Sequence, residues 1–290
     1  MDVAGESVLA FPCVPAEGFG AITPDKGIDI SKPVSSLKTG EYLGREILCL
    51  VKSQKLSSTI KILEPVTDSE VPRTTQPEPK NKKLSFEPGH KRSSLKLFRE
   101  FYVASQCYSV HFLKTKLALA CASGFQIIDP ETLDIQALLD PADLSLTFLK
   151  PFRDLRPIEI YRADINFLLC YTHCAFYVDK SGWKIESEPV MEWACVSHAF
   201  AFHWPYLVIF LPNHVEVRDA RDGKPMQIIQ GGNPRRLFEY KEPAKRASGT
   251  LPREGWPMVM VADSQVMLVK RGSSPFEKES EVDADMPHAL

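Results

Sequence analysis

The residues best equipped for chemistry in this chain are a few cysteines and histidines. Cys170 and Cys174 flank His173, and this group is the best metal candidate. Zinc takes four ligands converging as a tetrahedron, usually from two paired knuckles. No second Cys-x-x-Cys or His-x-x-x-His pair accompanies the group, and strand alternation sends His173 and Cys174 to opposite sides of a hairpin. The expected role is buried packing, with no metal. His198, His203 and His214 lie around Trp204-Pro205-Tyr206, but no Gly-x-Ser-x-Gly elbow supplies a nucleophile. Neither Gly-x-Gly-x-x-Gly nor a phosphate-cradling Gly-x-x-x-x-Gly-Lys-Ser/Thr loop occurs. Asp222-Gly223-Lys224 and Gly231-Gly232-Asn233 read as turns, and Asp140 and Asp143 as local backbone caps. The expectation is a non-enzyme with no catalytic, cofactor-binding or metal-binding residue and no cofactor.

Composition narrows the partners. The net charge of −2 argues against nucleic acid and anionic lipid, which call for a clustered basic surface. The seven cysteines mostly sit inside apolar runs such as Ile47-Leu48-Cys49-Leu50-Val51, where a thiol acts as a small hydrophobe. Met1 to Glu6 lack the features of a signal peptide, and no apolar run reaches the roughly 20 residues of a membrane span. A reducing, cytoplasmic setting is expected, with proteins as partners.

The elements that must position these residues are short strands. Apolar residues alternate with period two in Val110 to Leu113, Lys116 to Cys121 and Val215 to Arg218, and turn residues separate the runs. The one helical candidate is Ala137 to Leu149. A hairpin unit recurs: Leu117 to Asp129, Phe167 to Asp179 and Tyr206 to Asp219, with weaker copies at Ile47 to Leu63 and Met258 to Val269. From Leu119 to Leu169, Ile209 and Val261 the steps are 50, 40 and 52 residues. Blades of a β-propeller repeat at about that interval. An all-β propeller is therefore expected, its inner strands apolar because both faces of each sheet are buried. Pro65 to Ser94 reads as a flexible, proline-rich insertion with a basic cluster at Lys80, Lys82, Lys83, Lys91 and Arg92. Ser93-Ser94 make it a candidate docking or phosphorylation segment, and a solvated loop without a partner is the plainer reading. Trp183 and Trp193 are expected at junctions between blades.

Several collinear motifs carry a resemblance. Phe112 to Leu117, Gly124-Phe125, Asp129-Pro130-Glu131-Thr132-Leu133-Asp134, Leu138 to Asp143 and Arg156-Pro157-Ile158 are similar to the citron homology (CNH) domain. Phe167 to Tyr171, Ala175 to Val178, Gly182-Trp183, Trp193, Tyr206 and Asn233 to Phe238 continue the series. The likeness is strongest to the version found in fungal guanine-nucleotide exchange factors for Rho-family GTPases.

That resemblance implies a seven-bladed propeller that regulates and localises an exchange factor by binding other proteins. Those partners would include a Rho-family GTPase or its upstream regulators. It places the exchange reaction in a separate Dbl-homology and pleckstrin-homology module. It also implies a cytoplasmic protein recruited indirectly to the membrane at the cell cortex. Residues 1–34 are then expected to be the remnant of a blade, 35–271 the propeller region with its insertion at about 65–94, and 272–290 a disordered acidic tail. The count of units leaves the ring short of its N-terminal blades, so the isolated chain is expected to associate through exposed sheet faces. The alternative is that Val8 to Phe11 supply the closing strand of a smaller, complete propeller. The functional alternative is a free-standing propeller scaffold in vesicle or vacuolar tethering.

Overall fold

The computed structural model describes residues 6–10, 13–14, 21–22, 28–65, 95–140, 142–239 and 258–269. Near the N-terminus, β1 (Glu6–Ala10) pairs antiparallel with β4 (Ile28–Val34), and β2 (Cys13–Val14) pairs with β3 (Ala21–Ile22). Five antiparallel sheets follow, the blades of an all-β propeller fold, and each is a meander in which consecutive strands are neighbours. Blade I holds β5 (Ser36–Tyr42), β6 (Arg45–Ser53), β7 (Ser58–Pro65) and β8 (Leu95–Val103). Blade II holds β9 (Cys107–Leu113), β10 (Lys116–Cys121), β11 (Gly124–Ile128) and β12 (Ile135–Ala137). Blade III holds β13 (Pro157–Ala163), β14 (Asn166–Tyr171), β15 (Cys174–Val178) and β16 (Met191–Glu192). Blade IV holds β17 (Ala199–His203), β18 (Tyr206–Phe210), β19 (His214–Asp219) and β20 (Pro225–Gln230). Blade V has three strands, β21 (Arg235–Glu239), β22 (Met258–Ala262) and β23 (Gln265–Val269).

The recurring hairpin units of the sequence are the two middle strands of each blade. Their side chains obey the period of two that a pleated strand imposes. In β6, Ile47, Cys49 and Val51 face one way and Leu50 the other, and all four are buried. The chain divides into two compact units, residues 1–171 with 178–184, and residues 172–177 with 185–290. In the first unit, the core joins Tyr42, Ile47, Cys49, Val51, Ile60, Ile62 and Phe101 of blade I to Val110, Leu117, Leu119, Cys121 and Ile128 of blade II. Gly40 lets these blades close up, because a Cβ there would fall inside the Phe112 ring. In the second unit, Ala201, Val208, Phe210 and Val215 pack with Met258, Met260 and Ala262.

Three expectations change. The helical stretch shrinks to a 3-10 turn over Leu144–Leu149, while Ala137 pairs with Gln126 inside the blade II sheet. Side-chain caps compete with a helix here: Asp140 accepts from the Ala142 N–H and Asp143 from the Ser145 N–H, both at 2.8 Å. Pro65, expected to open the insertion, belongs to β7 and lies opposite Leu95. The body of the insertion and the acidic tail lie outside the described residues. Trp183 is not a core residue. Asp179 holds its turn, taking the Trp183 N–H at 3.0 Å, and the indole is left 54% exposed. No helix among the described residues is long and apolar enough to cross a membrane.

Trp193 does meet its expectation. It is 6% exposed, packs on Phe200 with ring centroids 5.4 Å apart, and donates Nε1–H to the Thr172 carbonyl at 2.9 Å. Trp193→Ala should therefore lower unfolding free energy by about 3–5 kcal/mol in a urea titration. Trp183→Ala should stay within about 0.5 kcal/mol of the parent in the same titration.

Candidate protein-interaction face

Within the first unit the opening strands of blades I, II and III meet at a polar cluster. Glu159 Oε2 lies 3.2 Å from Lys38 Nζ and 3.0 Å from His111 Nδ1, and Lys38 Nζ is 3.1 Å from that same nitrogen. On the far side of the ring, His111 Nε2 is 2.7 Å from Ser109 Oγ. Serine, histidine and carboxylate thus stand in the order of a hydrolytic triad. The hydrogens run the wrong way for one. Ser109 has a single hydroxyl hydrogen, and it goes to the Ile158 carbonyl at 2.9 Å. The Oγ must then accept from Nε2–H, which assigns the ring proton. A catalytic base needs that nitrogen as a lone pair.

The cluster is instead a polar tie across three sheets. Buried charges of this kind fix geometry more than they add stability, provided no partner is removed. Glu159→Gln should lower unfolding free energy by about 1–3 kcal/mol in denaturant titration, since it leaves buried donors short of a charged acceptor.

The tie also sets the direction of the strands. Ser109 and His111 meet Ile158 and Glu159 in the same order, so β9 and β13 run the same way. Lys38 and Leu43 likewise meet His111 and Lys114, the second pair through a 3.1 Å bond from the Leu43 N–H to the Lys114 carbonyl. In an antiparallel meander the first and third turns leave from one end, so these three blades share an end face. Leu43, Leu133, Ile165 and Trp183 lie on that face and are 42–72% exposed.

Two of these residues are costly to keep. Leu43 and Leu133 have φ of 50° and 61°, in the left-handed region that glycine and asparagine fill easily. Leu133 can be compared with its equivalent in blade IV. There the Asp219 N–H bonds to the Lys224 carbonyl and the Gly223 N–H to the Asp219 carbonyl. In blade II the Asp129 N–H bonds to the Asp134 carbonyl and the Leu133 N–H to the Asp129 carbonyl. Leu133 occupies the glycine position. Acidic groups stand beside it: Asp129 and Glu131 both push the Tyr42 hydroxyl upward, after the larger effect of burial. Trp183 borders an open depression of about 340 Å³ lined by Ala137, Leu138, Asp140 and Gly182. Gly182 is needed there because a Cβ would land on the Leu138 carbonyl oxygen.

The residues weighed from sequence alone are not brought together as sites. Cys170 and Cys174 are fully buried, and burial pushes the Cys174 thiol up to about 12, with Glu192 adding to it. His198 Nε2 meets the Pro234 carbonyl at 2.7 Å. His203 and His214 lie at opposite ends of their sheet, separated by the length of β18. Asp219, within the repeated turn, is held below the usual carboxylate range by its bond from Arg221. No group of three metal-binding side chains occurs among the described residues. Leu43, Leu133 and Ile165 were missed by sequence reasoning. The usable signal was Leu133 standing five residues into an aspartate turn where Gly223 stands in the later copy.

The thiols behave as core. Cys49 is pushed up to about 12 by burial, and Cys107 is raised by its bond with Cys121 and by burial. Of the six cysteines whose side chains are described, Cys195 alone is exposed. Iodoacetamide at pH 8 should modify Cys195 in the native chain and leave Cys49, Cys107, Cys121, Cys170 and Cys174 intact until denaturant is added, as read by peptide mass spectrometry.

The CNH domain family model matches residues 21–239. Rho1 guanine nucleotide exchange factor 1 of Schizosaccharomyces pombe is 36% identical over 217 residues, 74% of this chain and 16% of that protein. Rho1 guanine nucleotide exchange factor 2 of the same yeast is 38% identical over 202 residues, 69% of this chain and 17% of that protein. The match thus spans only 16–17% of the length of these relatives. The solved AfRom2 CNH domain is 28% identical, with a TM-score of 0.67, over 92% of this chain and 75% of that one. The strand meanders, their repeated aspartate turns and this agreement over most of the chain lead to one statement: the protein belongs to the CNH domain family.

Proposed function

We propose that this chain is a regulatory, non-catalytic protein-interaction domain working on Rho-family GTPase exchange, and that it binds through the Leu43–Leu133–Ile165–Trp183 face. The similarity to two Rho1 exchange factors supports the pathway. The observation that carries the binding face is Leu133, a leucine held at positive φ in a glycine position and left 42% exposed. Stability alone would select glycine or asparagine there, so another pressure keeps the apolar side chain.

The exchange reaction belongs, on this reading, to a Dbl-homology and pleckstrin-homology module outside these residues. The longer solved domain supports reading the five blades as part of a seven-bladed whole, with residues 35–271 as this chain's share and residues 1–34 as part of a further blade. The domain works in the cytoplasm and is recruited to the cell cortex through its protein partners.

The test is a titration of the 290-residue chain with a purified Rho-family GTPase, alongside release of a fluorescent GDP analogue from that GTPase. Binding without faster release is expected. The Leu43→Asn, Leu133→Asn pair should weaken binding at least tenfold, while stability stays level or rises by up to about 1 kcal/mol per site as left-handed strain is relieved. Accelerated release by the chain alone would remove the non-catalytic reading. Binding that survives the paired substitution would remove the face.

A further inference from the structure

Blade III turns on an aspartate as blades II and IV do, but it displays a different residue. The Asp179 N–H bonds to the Trp183 carbonyl, as the Asp129 N–H bonds to the Asp134 carbonyl and the Asp219 N–H to the Lys224 carbonyl. Trp183 therefore stands where the other two turns carry a charge. Those charges find partners close by: Asp134 Oδ2 accepts from Gln136 Nε2 at 2.7 Å, and Lys224 Nζ lies 2.7 Å from Asp222 Oδ2. The Trp183 indole has no ring contact, no cation and no hydrogen bond among the described residues. Its turn needs only its backbone, which Asp179 holds through the N–H at 3.0 Å and the carbonyl at 2.9 Å.

Asp140 stands in the same depression and is the charged residue of its lining. Lys180 and Lys184 flank the Trp183 turn in sequence but do not line the depression. Asp140 Oδ1 accepts from the Ala142 N–H at 2.8 Å, while Oδ2 accepts no bond among the described residues. The Asp140 carbonyl takes the Asp143 N–H at 3.0 Å, so this wall too is held by its own turn. Both walls lie in the first compact unit and are set before anything binds, which leaves little ordering to be done on binding.

We propose that this depression seats an arginine side chain of a protein partner, with the guanidinium stacked on the Trp183 indole and bonded to the Asp140 carboxylate. The proposal deepens the interaction face described above, and rests on that reading for the partner's being a protein. A volume of about 340 Å³ is at the small end of ligand pockets, about 300–1,000 Å³, and suits one side chain. An apolar occupant would strip water from Asp140 Oδ2 and give it no donor in return. An anion would be repelled by the same oxygen. A cation supplies the donor and is drawn to the negative face of an indole. Arginine fits better than lysine, because its planar guanidinium can stack and donate at once.

The test is fluorine NMR on the whole chain with 5-fluorotryptophan at its four tryptophan positions. The Trp183 resonance is the one missing from the Trp183→Phe variant. Acetyl-Gly-Arg-Gly-amide should shift it saturably, the lysine peptide should do so more weakly, and the citrulline peptide, which has the same shape and no charge, should leave it in place. Asp140→Asn keeps an oxygen for the Ala142 N–H, so the melting curve should hold while arginine-peptide binding weakens by about fivefold or more. A Trp183 resonance indifferent to the arginine peptide would overturn the proposal. So would an equal response to citrulline, undiminished binding by Asp140→Asn, or a shift produced by a polyproline peptide and not by arginine. The assay contains no GTPase: a failed GTPase titration removes the earlier reading alone, and a silent Trp183 removes this one alone.

Discussion

The rest of this structure depends on the burial of both faces of each sheet. A four-stranded meander with apolar residues on only one side could pack once and stop. Here β6 buries Cys49 and Val51 on one face and Leu50 on the other, so blade I needs neighbours on both sides. The neighbouring sheet must come close enough for dispersion contacts, and that forces small residues at the approach. Gly40 beneath the Phe112 ring and Ala118 and Ala120 in the middle of β10 answer that need. The same constraint leaves polar groups at the opening strands inside, where they have to satisfy one another. Lys38, His111 and Glu159 do so across three sheets.

Geometry of the triad type can therefore arise from packing alone. Ser109, His111 and Glu159 stand at distances that would suit an acyl-transfer site. The Ile158 carbonyl takes the serine hydrogen and thereby fixes the imidazole as a donor. Distances between heavy atoms do not distinguish a base from a tether, and counting hydrogens does.

The turns at the end face show how the fold separates stability from display. An aspartate bonded to the backbone N–H two residues on, as Asp129 to Glu131 and Asp219 to Arg221, closes each turn together with the backbone N–H of the residue at the left-handed position, whose side chain takes no part. That position is then free to vary. Glycine stands there in blade IV and leucine in blade II, at a cost of about 1 kcal/mol in backbone strain. Such a turn can carry an apolar side chain into water because its hydrogen bonds do not involve that side chain.

Much of the fold was legible in the sequence. Period-two apolar runs, their recurrence from Leu119 to Leu169 to Ile209, and the turn residues between them depend on local chemistry, so they determine strands, hairpins and the propeller class. The packing role of Cys170 and Cys174 was legible for the same reason, because each sits in an unbroken apolar run. Trp183 was not, since its exposure depends on where the neighbouring Gly182 and Leu138 backbones meet. Nor was the interaction face. Leu43, Leu133 and Ile165 are up to 122 residues apart, and nothing local to any of them marks a common surface. Only the tie of Lys38, His111 and Glu159, which sets three strands running in one direction, brings their turns to the same end. Local propensity is written residue by residue, whereas a shared face exists only after distant strands have been placed side by side.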